Sequence, residues 1–287
     1  MDQRVADLLQ LLELEQLEVN LFRGESRDIG SPQVFGGQVL GQALSAAAAT
    51  VEDRMVNSLH AYFLRRGDCN SAIVYEVDRS LDGRHFSNRR VVAIQHGQQI
   101  FNMTASFQVA EEGFDHQIEM PPVPSPESLP DSAGPPPEVL ERLPERARRF
   151  FAQPRPFEFR AVQPIDYLNP PRAEPAREVW FRTVGRVEGD EMLHRRLLAY
   201  ASDFFLLNTA TLPHAVSLLN PSVVMASIDH AMWFHRSLRV DDWLLYATDS
   251  PSASGARGLA RASVFARDGR LVASAAQEGL LRMRKER

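Results

Sequence analysis

The 287-residue sequence contains one cysteine, one lysine and no long apolar run, and each scarcity excludes a class of protein. Without a second cysteine, Cys69 can form neither an internal disulfide nor a thiolate metal cluster within the chain, which fits a reducing compartment. The lone lysine, Lys285, stands in the terminal stretch RMRKER, so Schiff-base chemistry and a Walker-type phosphate loop lack a suitable residue. No apolar run reaches the roughly 18 residues that a membrane-spanning helix needs.

The charge distribution and the two ends of the sequence restrict its partners and its location. The formal net charge is -5 and the basic residues form no cluster, so a nucleic acid would find little to bind. The first residues, MDQRVADLLQLLELEQ, have the pattern of an acidic amphipathic helix rather than of a signal peptide. The last residues, RKER, differ from the peroxisomal address S-K-L. We therefore expect a cytoplasmic, soluble globular protein without a membrane span.

Proline is concentrated in the middle of the chain, where fifteen of the 19 prolines fall between Pro121 and Pro175. Proline lacks an amide proton and fixes φ, so this stretch cannot hold a long helix or a central strand. We interpret residues 119–176 as a proline-rich linker, interrupted by a short helix near residues 138–151. The linker would separate an N-terminal repeat, residues 1–118, from a C-terminal repeat, residues 177–287.

The two flanks of the linker resemble each other. NSLHAYFLRR (57–66) and SIDHAMWFHR (227–236) are each followed by strand-like runs joined by short turns that contain glycine. Setting His60 against His230 brings Gln108 within one residue of Gln277. This pattern indicates an internal duplication. It predicts an α+β fold with two tandem repeats, each with an antiparallel sheet wrapped around a central helix.

The central helices are predicted over residues 35–49, FGGQVLGQALSAAAA, and 194–207, HRRLLAYASDFFLL. Both are apolar most of the way round, as a helix buried on most sides must be. The second contains Asp203, which this pattern places on a buried helix. A buried carboxylate without hydrogen bonds or an opposite charge costs several kcal/mol. Asp203 could therefore belong to a cap, pair with Arg195 or Arg196, or be a reactive group.

Partners for a reactive Asp203 are available in the same repeat. Ser227 begins the first long strand after the helix, and Gln277 lies in the last strand, in SAAQEG. Either residue alone would be unremarkable, but with Asp203 they could hold one water molecule, whose proton the carboxylate accepts. The first repeat has no Asp or Glu from residue 31 to residue 51, and Asn57 and Gln108 occupy the corresponding places. We infer one water-activating site per chain.

Other chemistries find less support. The sequence has no G-x-S-x-G nucleophile elbow. The glycines of GGQVLG (36–41) match no nucleotide-binding pattern and favour a plain helix start, although the backbone amides of Gly37 and Gln38 could stabilise an oxyanion. His230 and His235 are an odd number of residues apart, which on a strand points them to opposite faces and argues against a shared metal. Cys69 lacks an evident partner base, and we expect neither a metal nor a cofactor.

Six long motifs occur in order along the chain: FRGESRDIGSPQVFGGQVLGQAL, SLHAYFLRRGD, RRVVAIQHGQQIFNMTASFQ, YASDFFLL, SIDHAMWFHRSLRVDDWLLY and RLVASAAQEGLLR. Together they resemble acyl-CoA thioesterase II, the double hot-dog thioesterase family found in bacteria and in peroxisomes. The resemblance weakens in the proline-rich linker. It implies hydrolysis of fatty acyl-CoA to fatty acid and CoA by an Asp, a Ser or Thr, and a Gln. On this sequence these are Asp203, Ser227 and Gln277, with serine where bacterial members often have threonine.

Two alternatives remain open for the same architecture. An acyl-CoA hydratase or dehydratase would be expected to use an Asp and His pair, for which His230 is the nearest candidate. A degenerate copy could instead bind acyl chains without catalysis. In each case the partner is a small molecule. The ends of open sheets invite pairing, so we also expect a homo-oligomer, either a dimer or a tetramer.

Overall fold

The computed structural model describes residues 1–31, 33–131, 134–217, 219–220 and 222–284, so Lys285 lies outside the described residues. Within them the chain forms five α-helices, two 3-10 helices and thirteen β-strands. The α-helices are α1 (Gln3–Leu12), α2 (Gly36–Ala48), α3 (Pro137–Leu140), α4 (Glu145–Ala152) and α5 (Glu191–Ala201). The 3-10 helices are Pro126–Ser128 and Leu207–His214. No helix of the described part is long and apolar enough to span a membrane.

The strands fall into two sets along the chain. Those of the first half are β1 (Glu15–Glu18), β2 (Leu21–Gly24), β3 (Met55–Phe63), β4 (Ile73–Asp82), β5 (Phe86–Gln95) and β6 (Gln98–Gln108). Those of the second half are β7 (Phe157–Ala161), β8 (Ala176–Thr183), β9 (Val223–Ser227), β10 (Asp229–Phe234), β11 (Leu244–Ser254), β12 (Arg257–Ala266) and β13 (Leu271–Met283).

All thirteen strands share one antiparallel sheet, in the order β1-β2-β4-β5-β6-β3-β10-β13-β12-β11-β8-β7, with β9 paired to β13 outside this path. The order has the same form from either end, because β3, β6, β5 and β4 correspond to β10, β13, β12 and β11. The two halves meet where β3 pairs with β10, with Leu59 opposite Met232. The duplication inferred from the sequence is therefore present as an approximate two-fold relation between the halves.

The two central helices pack against each other inside this sheet. In α2, eleven of the 13 residues are buried, and most of them are glycine, alanine or serine, whose small side chains let other backbones approach. A β-carbon at Gly41 would lie 3.5 Å from the carbonyl oxygen of Arg196 in α5. α2 also contacts β2 to β6, whereas the strands β8 and β11 to β13 contact the 3-10 helix Leu207–His214. The candidate site lies where α2 begins and α5 ends.

The predicted linker, residues 119–176, contains more structure than its proline content indicates. Besides α3 and α4, which lie where a short helix was predicted, it contains β7, which pairs with β8 and places Phe159 opposite Phe181. β7 is an edge strand of the sheet. Prolines are tolerated beside an edge strand, because its outer side has no partner strand that needs their missing amide protons. Earlier in the linker, the indole of Trp180 donates to the carbonyl of Pro124 at 2.9 Å. This segment therefore packs on the second half.

The helix predicted over residues 194–207 is wrong at its end, because α5 stops at Ala201 and Asp203 follows it. The amide of Phe204 donates to the carbonyl of Ala201 at 3.1 Å, which tightens the last turn. Phe205 then has a φ of 64°, a left-handed conformation that no helix continues through. The apolar pattern continues past Ala201 because the following 3-10 helix is buried as well. An apolar pattern indicates which residues are buried, but it does not distinguish an α-helix from a 3-10 helix.

The residue-by-residue alignment of the two halves predicted from sequence is also wrong. The amide of Arg65 donates to the carbonyl of Ile100, and the amide of Arg236 donates to the carbonyl of Val272 in the same way. These matching bonds set Arg65 against Arg236, which moves His230 off His60. His60 is exposed, whereas His230 is fully buried. A shift of one residue along a strand moves a side chain to the opposite face.

The corrected alignment replaces both predicted counterparts of the site residues. Val56 pairs with Phe107 as Ser227 pairs with Gly279, so Val56 and not Asn57 corresponds to Ser227. Counting from Ile100 and Val272, Ala105 and not Gln108 corresponds to Gln277. Gln108 lies at the end of β6 and donates to Glu111 on the surface.

Candidate active site

Asp203 lies just beyond the end of α5, with its carboxylate directed at the start of α2. The amide of Gly37 donates to Oδ2 of Asp203 at 3.0 Å. The N-cap of α2 is Phe35, whose side chain cannot accept a hydrogen bond, so a carboxylate from the other half takes the place of the missing cap. The capping reading of Asp203 is thus correct for α2. Asp203 forms no ion pair with another described residue, and Arg195 pairs with Glu191 instead.

Gln277 joins the other two predicted site residues. Its Nε2 donates to Oδ1 of Asp203 at 2.8 Å and also reaches Oγ of Ser227 at 2.9 Å. Gln277 is only 1% exposed, and its Oε1 has no hydrogen-bond partner among the described residues. The structure therefore brings Asp203, Ser227 and Gln277 together in one hydrogen-bonded group. Their catalytic role stays a prediction.

The strand that carries Ser227 differs from the one predicted. Ser227 ends the short strand β9 instead of beginning a long one, and Ile228 separates β9 from β10. Both strands pair with β13, with Ser227 opposite Gly279 and Ala231 opposite Ala276. This irregularity in the ladder lies beside Gln277. Such breaks in pairing redirect side chains next to functional sites.

The pKa of Asp203 is raised to about 6. Burial raises it, while the hydrogen bonds from Gln277 and from the amide of Gly37 lower it. Burial thus outweighs the two donors, a balance that the sequence left open. The carboxylate remains mostly ionised at neutral pH, yet it is basic enough to accept a proton from water.

The glycine pair at the start of α2 is part of the site, although the sequence favoured a plain helix start and offered only the amide of Gly37 as a possible oxyanion donor. A β-carbon at Gly36 would lie 2.6 Å from Oδ2 of Asp203, and one at Gly37 would collide with the carbonyl oxygen of Tyr200. The Gly-Gly dipeptide at a helix start was the available signal, because two adjacent glycines there cost helix stability and so indicate a close approach.

The backbone amides proposed from sequence as oxyanion donors are already engaged, so that prediction is wrong for both. The amide of Gly37 donates to Asp203, and the amide of Gln38 donates to the carbonyl of Phe35 at 3.0 Å. Gly36 occupies the first position of α2, where an amide has no acceptor within its own helix. Gly36 also lines the cavity described next.

Asp203, Ser227 and Gln277 open onto a cavity of about 400 Å³ whose walls come from both halves. Apolar walls are supplied by residues such as Phe63, Ile100 and Met225, and the mouth carries Arg65 and Arg66. Asp203 is half-buried and lines this cavity. The cavity therefore combines apolar walls with one acid, as a site for an amphipathic substrate would.

The mirror position in the first half lacks these polar groups. Val56 and Ala105 stand where the second half carries the serine and the glutamine. The guanidinium of Arg195 occupies this region, since it donates to the carbonyl of Val56, pairs with Glu191 and lies 5.7 Å from the ring of Phe234. An acid, a hydroxyl and an amide meet beside a cavity only in the second of these two positions.

The two histidines of HAMWFH lie apart, as predicted. His230 is buried and its Nε2 lies 2.9 Å from Oγ of Ser202, while Nε2 of His235 lies 2.9 Å from Oγ of Ser274 near the surface. Burial lowers the pKa of His230 to about 4, so the ring is neutral at pH 7. His230 meets a hydroxyl and no carboxylate, and it does not line the cavity. The Asp and His pair of a hydratase is not formed here.

The last two sequence expectations concern the reactivity of Cys69 and the binding of a metal ion. Burial raises the pKa of the Cys69 thiol, which keeps it protonated at neutral pH. Within the described ranges, no three His, Cys, Asp or Glu side chains are grouped closely enough to hold a metal ion.

Comparison with known proteins gives matches along nearly the whole chain. A family model described as acyl-CoA thioesterase matches residues 148–280, and one described as acyl-CoA thioesterase N-terminal domain matches residues 23–108. Acyl-CoA thioesterase 2 of Haemophilus influenzae is 45% identical over 277 residues, which cover 96% of this chain and 97% of the relative.

Solved structures agree with the observed fold. The crystal structure of acyl-CoA thioesterase II TesB2 from Mycobacterium marinum is 41% identical with a TM-score of 0.79, and the match covers 96% of this chain and 98% of that one. A hot-dog-fold protein from Alicyclobacillus acidocaldarius, 18% identical, has a TM-score of 0.76 and covers 97% of this chain and 99% of its own. That second likeness concerns the fold alone. The predicted double hot-dog α+β fold is confirmed.

Proposed function

This chain belongs to the acyl-CoA thioesterase family and is a thioester hydrolase, and from that premise we propose that Asp203, Ser227 and Gln277 activate the water that hydrolyses a fatty acyl-CoA. One observation carries the proposal: a single glutamine amide joins the carboxylate of Asp203 to the hydroxyl of Ser227 at the wall of a cavity. The products are a free fatty acid and CoA.

In the proposed reaction the ionised Asp203 is the general base. Water between Asp203 and Ser227 attacks the thioester carbonyl carbon while Asp203 accepts its proton. The tetrahedral intermediate collapses with cleavage of the carbon–sulfur bond, and the proton on Asp203 passes to the departing thiolate. Because Gln277 donates to both side chains, it fixes their separation before the substrate binds. No covalent enzyme intermediate is needed.

The charge that develops on the carbonyl oxygen requires a donor, and we assign this role to the start of α2. Gly36 lines the cavity, and its amide makes no hydrogen bond with another described residue. The partial positive charge at the N-terminus of a helix favours an anion there. Donors aimed at a developing oxyanion contribute on the order of 10²–10³ in rate.

The experiment that tests this function measures CoA release from purified protein. Asp203→Asn keeps an acceptor for the Gly37 amide but cannot take a proton, so kcat should fall by about 10²–10⁴. Asp229→Asn is the matched control, because Asp229 also has a pKa raised by burial but does not line the cavity. Asp203→Asn with near wild-type turnover would remove Asp203 from the mechanism.

Location, assembly and substrate preference belong to the same proposal. Residence in the cytoplasm and assembly into a dimer or tetramer stay predictions. A panel of saturated acyl-CoAs of graded length, read out as thiol release, would measure which acyl chain the cavity prefers. Hydration of enoyl-CoA in place of CoA release would instead favour the hydratase alternative.

A further inference from the structure

The mouth of the cavity carries two arginines whose role the proposed reaction does not explain. Arg65 and Arg66 follow β3 after one intervening residue, Leu64; both line the same cavity as Asp203 and are exposed. Among the described lining residues, Asp203 is the one acid, and it lies within the cavity wall. The cavity therefore carries two exposed positive charges beside its apolar walls.

Neither of these two positive charges has an acidic partner among the described residues. Arg65 donates through Nη1 to the carbonyl of Gln99 at 2.6 Å, which leaves its charge uncompensated. Arg66 makes no hydrogen bond or ion pair with another described residue. Exposed arginines elsewhere in the described chain commonly do, as Arg261 does with Asp249 and Arg267 with Glu127.

The duplication supplies an internal comparison. Arg236, the counterpart of Arg65, donates to the carbonyl of Leu271 as Arg65 does to that of Gln99, and it also pairs with Asp115. The carbonyl contact is therefore structural and shared by both halves, while the uncompensated charge occurs beside Asp203 alone. The counterpart of Arg66 is Ser237, so the second arginine is also specific to this entrance.

The backbone holds these arginines in a fixed turn. The amides of Leu64 and Arg65 both donate to the carbonyl of Ile100, at 2.9 Å and 3.1 Å. The amide of Val34 donates to the carbonyl of Gly67 at 3.0 Å, which ties the turn to the chain leading into α2. Arg66 lies between these two anchored positions. Its guanidinium is therefore presented at the entrance with little backbone freedom.

We propose that Arg66, with Arg65 beside it, binds the phosphate groups of the nucleotide half of the CoA substrate at the cavity mouth. The inference rests on the proposed function, which puts the thioester beside Asp203 and leads the pantetheine arm outward. The nucleotide half carries three phosphate groups, and a guanidinium fork matches phosphate oxygens in geometry and charge. Arg66 is then a residue that selects CoA thioesters over thioesters without phosphate.

The test compares acyl-CoA with the acyl-pantetheine of the same acyl chain, which keeps the arm but lacks every phosphate. Arg66→Gln should lower kcat/KM for acyl-CoA about 10-fold or more, chiefly through KM, and leave kcat/KM for acyl-pantetheine unchanged. Added salt should also lower kcat/KM for acyl-CoA more steeply in the wild type than in the variant.

Arg90→Gln is the matched control, because Arg90 is exposed on β5, makes no described ion pair and does not line the cavity. This control should behave as wild type with both thioesters. An equal loss on acyl-CoA and acyl-pantetheine, or an Arg66→Gln variant no different from Arg90→Gln, would overturn the inference alone. A wild type that hydrolyses neither thioester would overturn the proposed function itself.

Discussion

Asp203 carries a negative charge where burial opposes it, and three groups compensate for that cost. Gln277 and the amide of Gly37 each donate to one carboxylate oxygen, and the N-terminal end of α2 adds a favourable partial charge. The compensation is incomplete, because the pKa is still raised to about 6. That incompleteness is useful: a fully stabilised carboxylate would be too weak a base to take a proton from water.

Ser227 provides the residue-scale prediction. Its Oγ accepts from Gln277, so its own hydrogen remains available to a water or to the thioester. Ser227→Ala should lower kcat about 10-fold to 100-fold, which is the loss expected for one hydrogen bond to a group that is charged or becomes charged in the reaction. Ser227→Thr keeps the hydroxyl on a strand position that tolerates β-branching, so its kcat should stay within a few-fold of wild type. Equal kcat for the two variants would contradict a role for the hydroxyl.

Single residues were predictable to different degrees. Asp203 could be singled out because a carboxylate in an apolar run requires an explanation. Ser227 and Gln277 could be proposed from the duplicated repeat, and the family resemblance then implied the same role, whereas an isolated strand serine or glutamine carries no distinguishing pattern. The direction of the Asp203 pKa shift was not predictable, since burial and hydrogen bonds act in opposite directions and only coordinates show which is larger.

At the scale of elements, the site depends on the end of one helix meeting the start of another. The sequence reveals both helices, because their burial leaves a strong apolar pattern. It does not reveal that α5 ends at Ala201, since the turn at Phe205 and the 3-10 helix after it are equally apolar. The prediction that Asp203 is helical failed for this reason. The same physical cause hid the contact between Asp203 and the amide of Gly37.

The glycine pair of α2 gives the prediction at this scale. Gly36→Ala places a β-carbon 2.6 Å from Oδ2 of Asp203, so kcat should fall although alanine favours a helix. Gly37→Ala forces its β-carbon against the Tyr200 carbonyl, so the melting temperature should fall through overpacking that costs about 1–3 kcal/mol.

Activity and thermal melting of both variants would be measured beside Gly113→Ala, a position with no atom within 4 Å of the added carbon. The control should match wild type in both measurements. A Gly36→Ala variant with unchanged kcat would show that Asp203 does not need its position beside α2.

For the whole molecule, the strand order is symmetric while the chemistry is not. The symmetric order could be predicted from the repeated motifs, since paired strands with similar turns fold alike. The exact match between the halves could not, because a slip of one residue is invisible in composition yet moves each side chain to the other face. The corrected match puts Val56 and Ala105 at the mirror position, which therefore lacks the serine and the glutamine, and Arg195 donates to the carbonyl of Val56 there.

This asymmetry predicts the stoichiometry of binding. A non-hydrolysable thioether analogue of acyl-CoA, titrated by calorimetry, should bind once per chain. The mirror position lacks Asp203, the serine and the glutamine, and the Arg195 side chain there is 10% exposed and held by Val56 and Glu191. Two equivalent binding events per chain would contradict the assignment of a single site.

The pH dependence of kcat/KM tests the central claim most directly, because it reports ionisation of the free enzyme. Asp203 must be ionised to accept a proton, and its pKa is about 6, so activity should rise with pH along one ionisation near pH 6 and level off above it. The control Asp229→Asn should keep this rise in activity near pH 6, and the residual activity of Asp203→Asn should lack it. A rise in activity near pH 6 that persists unchanged in Asp203→Asn would contradict the role of Asp203 as the general base.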